Sequence, residues 1–368
     1  MGALDLFLEL AALPTPPGEE RTVADRVATE LRELGLTVDE DDAGTRIGSS
    51  AGNLYVRLEP TAAGTPVFLC AHMDTVPPVG PIEPVVDDGV VRNAGGTILG
   101  ADNKSAVAAM VESARRIVAE GRPHAGLELL FTIKEEVGLK GADAFDASRL
   151  AARIGYVYDQ AGPIGEVILG APNSMILAVT FRGRAAHAGM APEEGRSAIA
   201  AASRAIADMR LGRLDEETSA NVGTIDGGVA RNIVPDRCTL SAEARSHDEG
   251  KLADVVQEML DACSFAASLT GCEVETEVER GFHGYRFRRD DEPVRLASAA
   301  LERTGHAPTY ALSGGGADAN IFNMRGLRCV NLANGMAEIH SPEEHIAVAD
   351  LEGMVEVTLA LLEEARGA

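Results

Sequence analysis

The sequence predicts an α/β fold in two domains, one interrupted by the other, and three observations carry that prediction. At 368 residues the chain exceeds what one hydrophobic core ordinarily organises. In its first and last parts, short β-rich runs alternate with stretches of helical periodicity, the pattern of an open α/β sheet. Between them, elements follow the order β-α-β-β-α-β, which suggests a ferredoxin-like α+β insert. The expected boundaries are residues 1–173 and 284–368 for the interrupted domain and 174–283 for the insert.

Taken in order, apolar residues recur at helical spacing from Leu4 to Ala12 and from Glu19 to Leu34, separated by Pro14, Pro16, Pro17 and Gly18. This reads as two helices with a tight joint. Strand-like runs follow at Asn53 to Leu58 and Pro66 to Cys70, and His72-Met73-Asp74 comes immediately after the second. A glycine-bearing loop, Gly95 to Asp102, leads into a helical run from Lys104 to Ala119 and a strand from Leu127 to Ile133, after which stands Glu135-Glu136. A further strand, Ile154 to Tyr158, delivers Asp159. Three strand ends thus present acids or histidine, where open α/β sheets place their chemistry.

Near Pro172 the texture changes. Strands are expected at Ile176 to Phe181, near Val222 to Ile225, at Arg237 to Arg245 and at Glu273 to Glu279, with helices at Arg196 to Met209 and Lys251 to Leu269. From about Phe282 the α/β texture returns, with a helix from Pro293 to Thr304, a strand from Cys329 to Leu332 and a final helix from Asp350 to Arg366.

Composition narrows the function classes. The formal charge of −24 repels nucleic acid and anionic lipid alike, so neither is an expected partner. Cys70, Cys238, Cys263, Cys272 and Cys329 are odd in number and never spaced as CxxC, which disfavours both a disulfide framework and a thiolate zinc knot. The opening residues lack the basic leader and unbroken apolar run of a signal peptide, and no 18-residue apolar stretch occurs. A cytoplasmic protein is expected.

His72, Asp102, Glu136, Asp159 and His340 are a donor set suited to two metal ions. A pair of ions about 3.5–4 Å apart needs a bridging carboxylate, and if Asp102 bridges, each ion takes one imidazole and one further acid. Glu135 is then free to act as a general base, and Asp74 to hold the His72 tautomer. Each piece alone is weak, since His-x-Asp is usually a polar loop and adjacent glutamates a solvated face. The conjunction is stronger, because neighbouring carboxylates at a strand end repel one another unless cations compensate.

The segments Ala71-His72-Met73-Asp74-Thr75-Val76-Pro77, Gly100-Ala101-Asp102-Asn103-Lys104, Thr132-Ile133-Lys134-Glu135-Glu136-Val137-Gly138 and Glu338-Ile339-His340-Ser341-Pro342 resemble the motifs of the M20 metallopeptidases, within them the peptidase T-like branch. The resemblance spans nearly the whole chain. It implies a zinc-peptidase-like α/β catalytic domain with an inserted lid and dimerisation domain. It implies His72, Asp102, Glu136, Asp159 and His340 as ligands of two divalent ions, zinc by default with cobalt or manganese as alternatives. Asp102 is then the bridge, Asp74 the orienter of His72, and Glu135 the acid and base.

In the insert, Gly183-Arg184-Ala185-Ala186-His187-Ala188-Gly189 resembles the family's lid motif, whose histidine reaches the scissile carbonyl oxygen. His187 is thereby expected to stabilise an oxyanion, and a homodimer through the insert is implied. Arg245 is a candidate for a substrate carboxylate, its alternative being a surface ion pair. Asn232 is a candidate amide donor to substrate, its alternative a turn cap. In Ser313-Gly314-Gly315-Gly316-Ala317-Asp318, Gly315 offers close backbone approach to a substrate terminus. His345 competes with His340 as a ligand, but Pro342-Glu343-Glu344 reads as a solvated helix start, so His345, His124, His247, His283 and His306 stay unassigned.

Three functions follow as alternatives: an aminopeptidase acting on short peptides such as tripeptides, a deacylase or carboxypeptidase of related build acting on acylated amino acids or peptides, and a non-catalytic binding protein. The complete ligand-and-base set argues against the third.

Overall fold

The computed structural model describes residues 2–368. They divide into two compact units: one runs to Gly170 and resumes at Arg286–Ala368, the other spans Ala171–Tyr285.

The first unit is built on a mixed sheet in the order Val38–Glu40, Leu54–Leu58, Leu127–Thr132, Val67–His72, Ile154–Gln160, Arg328–Ala333, Glu166–Ala171, with Thr309–Leu312 pairing alongside the last of these. Its centre is parallel. Val67–His72 and Leu127–Thr132 are buried along their whole length, as expected of strands covered on both faces. The helix Ala101–Glu120 packs on this sheet and on the helices Ala3–Ala11, Arg21–Glu33 and Val348–Arg366. Phe68 meets Phe322 edge to face, with centroids 5.1 Å apart. On its other side it fills the place of a side chain at Gly155, where a Cβ would fall 2.0 Å from the Phe68 ring.

Register, not sequence distance, gathers the polar strand ends. Pairing sets His72 level with Thr132, and Cys70 level with Val157, which carries Asp159 to the height of His72. Residues 72–74, 133–136 and 159 therefore leave the sheet at its carboxyl edge.

The second unit is an antiparallel sheet in the order Gly212–Arg213, Thr218–Gly227, Arg237–Ser246, Asn173–Arg182, Glu273–Phe282. The helices Ala198–Asp208 and Glu249–Thr270 bury their small and aliphatic residues against Leu177, Val179, Phe181 and Leu240. Placing the first long strand between the third and fourth is the ferredoxin-like arrangement the element order suggested. The two-residue strand Gly212–Arg213 is an addition to it.

A small sheet in the first unit was not anticipated: Pro84–Asp87, Val90–Asn93, His345–Ala347 and Met336–Ala337 pair in antiparallel fashion. It corrects the reading of residues 342–344 as a solvated helix start. His345 opens a strand, and Glu344 is 2 % exposed, its carboxylate taken up by three main-chain N–H groups. Among the described residues, no helix is long and apolar enough to cross a membrane.

Candidate metal centre

Asp102 lies at the middle of the first unit's polar strand ends. One carboxylate oxygen is 3.2 Å from His72 Nε2 and the other 3.2 Å from His340 Nε2. Asp159 Oδ1 stands 3.4 Å from the same His72 nitrogen, and Glu136 Oε1 stands 3.1 Å from the same His340 nitrogen. Two clusters result, His72 with Asp102 and Asp159, and Asp102 with Glu136 and His340, each with its donor atoms within 4.8 Å of one another. All five sequence-predicted ligands are brought together, with Asp102 common to both clusters.

Local structure holds these groups in place. His72 ends a buried strand, and its Nδ1 lies 2.9 Å from the main-chain carbonyl of Asp74, which fixes Nδ1 as the protonated nitrogen and turns Nε2 to the cluster. The Asp74 carboxylate is farther from Nδ1, at 3.5 Å. It accepts instead the main-chain N–H groups of Glu135 at 3.0 Å and Glu136 at 3.2 Å, so Asp74 joins the His72 loop to the Glu135 loop. Asp159 accepts from the Asn103 amide at 3.1 Å, while Asn331 bonds both its main-chain N–H and carbonyl. His340 sits at φ 63, a left-handed conformation that non-glycine residues adopt at a cost, and its side chain is 46 % exposed.

The carboxylates of the centre stand close enough to repel one another. Burial, then the Asp159 and Asp318 carboxylates, push the Glu135 carboxyl well above its usual range, and burial with Asp102 does the same to Asp159. Burial works against the charge of Asp102, yet hydrogen bonds from His340 and His72 hold its pKa below the ordinary value. His340 is pushed up to about 10 by its hydrogen bonds to Asp102 and Glu136. Positive charge must therefore compensate the acids gathered here. Two divalent cations would do so while taking neutral imidazole nitrogen and carboxylate oxygen, the donors borderline metal ions favour. The residues fit the group.

Sequence reasoning missed three buried residues around this centre. Glu344 binds the loop that carries Asp102. Asp318 accepts from Thr132 Oγ1 at 2.5 Å and from Cys70 Sγ at 3.6 Å, and burial pushes its pKa up to about 6. Lys104 is fully buried, its ammonium 2.5 Å from the Leu13 carbonyl and brought down to about 7 by burial. Lys104 and Asp318 stand inside recognisable motifs, which was the available signal. Glu344 carried none beyond its place four residues after His340.

The remaining candidates lie apart from the two clusters in the sequence. In the second unit, His187 pairs with Ile233 in an isolated bridge, and the Ala188 N–H donates to the Asn232 carbonyl at 3.0 Å, so His187 and Asn232 occupy adjoining exposed loops. The His187 Nδ1 accepts from the Gly189 and Met190 N–H groups, leaving Nε2 as the outward donor. Arg245 forks onto Glu243, at 2.9 Å and 3.2 Å, with its guanidinium carbon 5.6 Å from the Phe282 ring centroid. In the first unit, the Gly315 N–H donates to Ser313 Oγ at 3.1 Å.

The model of peptidase family M20/M25/M40 matches residues 68–364, a span holding every residue of the two clusters. The chain belongs to this family. Within it, a solved aminopeptidase PepT from Bacillus cereus ATCC 10987 is 38% identical, covering 99% of this chain and 98% of its own, with a TM-score of 0.86. A tripeptidase structure from Staphylococcus aureus subsp. aureus Mu50 is 35% identical, covering 100% and 98%, with a TM-score of 0.92. The uncharacterized protein YqjE of Bacillus subtilis (strain 168) is 39% identical over 98% of both chains. The M20 fold and the peptidase T-like branch expected from the sequence are thus both present.

Proposed function

We propose that this M20 peptidase is a two-metal aminopeptidase that releases the N-terminal residue of short peptides, tripeptides among them. The observation that carries the metal centre is the Asp102 carboxylate, each of whose oxygens lies 3.2 Å from a different histidine. Likeness to an aminopeptidase and a tripeptidase at 38% and 35% identity supports the substrate class. In this reading His72, Asp102, Asp159, Glu136 and His340 hold two divalent ions, zinc by default, with cobalt and manganese suited to the same donors. When bound, such ions polarise the amide carbonyl and acidify water.

The chain's own groups do the rest. Glu135, buried beside the clusters, takes the proton of the attacking water and passes it to the departing amine. Asp74 keeps Glu135 and Glu136 in register through their main-chain N–H groups. His187 donates from Nε2 to the oxygen of the scissile carbonyl as charge develops there, from its own chain or from a partner copy paired through the insert. Asn232, Arg245 and the Gly315 backbone are the proposed contacts for the substrate's polar ends. For Arg245 a substrate carboxylate takes the place of Glu243. Five free cysteines fit a reducing, cytoplasmic setting.

Purified protein is expected to release alanine from tri-alanine, to stop on chelation and to resume when zinc, cobalt or manganese is restored. Hydrolysis of N-acetyl-alanine alone would move the activity to the deacylase side, and inertness with every metal would refute the enzyme. His187→Ala is expected to lower kcat by about 10²–10³-fold, the usual weight of one oxyanion donor, with bound metal unchanged. Undiminished kcat on tripeptide would remove His187 from the mechanism.

A further inference from the structure

Glu344 is 2 % exposed and both of its carboxylate oxygens accept hydrogen bonds from main chain. One oxygen accepts from the N–H groups of Leu99 at 2.7 Å and Gly100 at 2.8 Å, the other from the N–H of Asp102 at 2.9 Å. These donors stand at the start of the helix Ala101–Glu120, where no intrahelical acceptor exists for them. The chain there is bent, with Gly100 at φ 80 and non-helical angles at Asp102 and Asn103. Glu344 itself lies four residues beyond His340, on a loop whose Pro342 and Glu343 are exposed. One carboxylate therefore ties the loop that presents Asp102 to the loop that presents His340.

We propose that Glu344 is a positioning residue of the metal centre, fixing the separation of Asp102 and His340 so that the cluster of Asp102, Glu136 and His340 can close on an ion. The inference rests on the two-metal reading above. It also predicts an asymmetry. In the first cluster His72 and Asp159 are carried by strands of the central sheet and only Asp102 is held by Glu344, whereas in the second both Asp102 and His340 stand on the loops that Glu344 joins. His340, left-handed and half exposed, depends on its loop being anchored. Only a carboxylate suits the anchor, because both of its oxygens accept, whereas glutamine would turn an NH₂ group toward at least one main-chain N–H.

Cobalt titration of metal-free protein, followed by calorimetry and by the cobalt absorption bands, tests this without recourse to activity. Wild-type protein is expected to take up two ions. Glu344→Gln should keep one near its original affinity and lose about 10–100-fold at the other, the range typical of partners that orient metal ligands. Glu344→Asp, which keeps both acceptor oxygens on a shorter stem, should fall between them, and Glu343→Gln, on the exposed neighbour, should behave as wild type. Melting of the metal-free variants separates a general structural role from the proposed one. Equal weakening of both ions in step with a lower metal-free melting temperature, or two ions bound at wild-type affinity, overturns the assignment. Failure of the wild-type protein to bind two ions would overturn the metal-centre reading itself.

Discussion

Glu135→Gln is expected to lower kcat by about 10³-fold while the protein still binds two ions. Glu135 is 8 % exposed, and its main-chain N–H is fixed on Asp74 Oδ1 at 3.0 Å, a contact the substitution leaves intact. Glutamine has the same shape and presents an acceptor oxygen, but it cannot take a proton from water or return one to an amine. General-base contributions run to about 10²–10⁴-fold, and a residue that serves both proton transfers belongs in the middle of that range or above it. Burial and the carboxylates of Asp159, Asp318 and Glu136 push this carboxyl up. Cations held by the two clusters would offset that repulsion and would leave Glu135 ionised, as the proposed base requires. Steady-state kinetics beside metal analysis separates the cases: turnover within tenfold of wild type would show that the proton travels by another group.

His72, the Glu135-Glu136 pair and Asp159 stand out in the sequence because each follows an apolar run that reads as a strand, whereas Asp102 and His340 stand out only through the motifs around them. The strands themselves were visible as local composition, but their neighbours were not. Nothing local says that Val67–His72 lies between Leu127–Thr132 and Ile154–Gln160, although that order is what levels His72 with Asp159. The hairpin Pro84–Asp87 and Val90–Asn93 escaped notice because its residues are mostly exposed and show no alternation of apolar and polar positions. Asp74 was given the right neighbour and a different contact: its carbonyl, not its carboxylate, is the nearer partner of His72 Nδ1. Glu344 was misread for a deeper reason. A glutamate between a second glutamate and a histidine is ordinarily solvated, and the main-chain donors that bury Glu344 lie 242 or more residues earlier.

Asp102→Asn should have the widest effect of any single change, because it alone touches both clusters. Its two oxygens are each 3.2 Å from a histidine Nε2 on opposite sides. Asparagine conserves the volume but replaces one acceptor by a donor and removes the negative charge that each cation would share. One histidine is left facing an NH₂ group, and the two clusters would lose the carboxylate they have in common. The loss should exceed the about 100-fold assigned to supporting residues such as Glu344 and extend to both ions, with turnover falling in parallel. Cobalt titration distinguishes the two kinds of residue: Glu344→Gln is expected to retain one tight ion, whereas Asp102→Asn retains neither at wild-type affinity. The stabilisation that metal confers follows the same logic, since an ion that binds only the folded chain raises the melting temperature by an amount that grows with the logarithm of its affinity at a fixed ion concentration. Wild-type protein should therefore melt higher with cobalt, Glu344→Gln should keep part of that rise, and Asp102→Asn almost none. An Asp102→Asn protein that still bound two ions and kept a tenth of its turnover would show that the centre does not depend on a shared carboxylate.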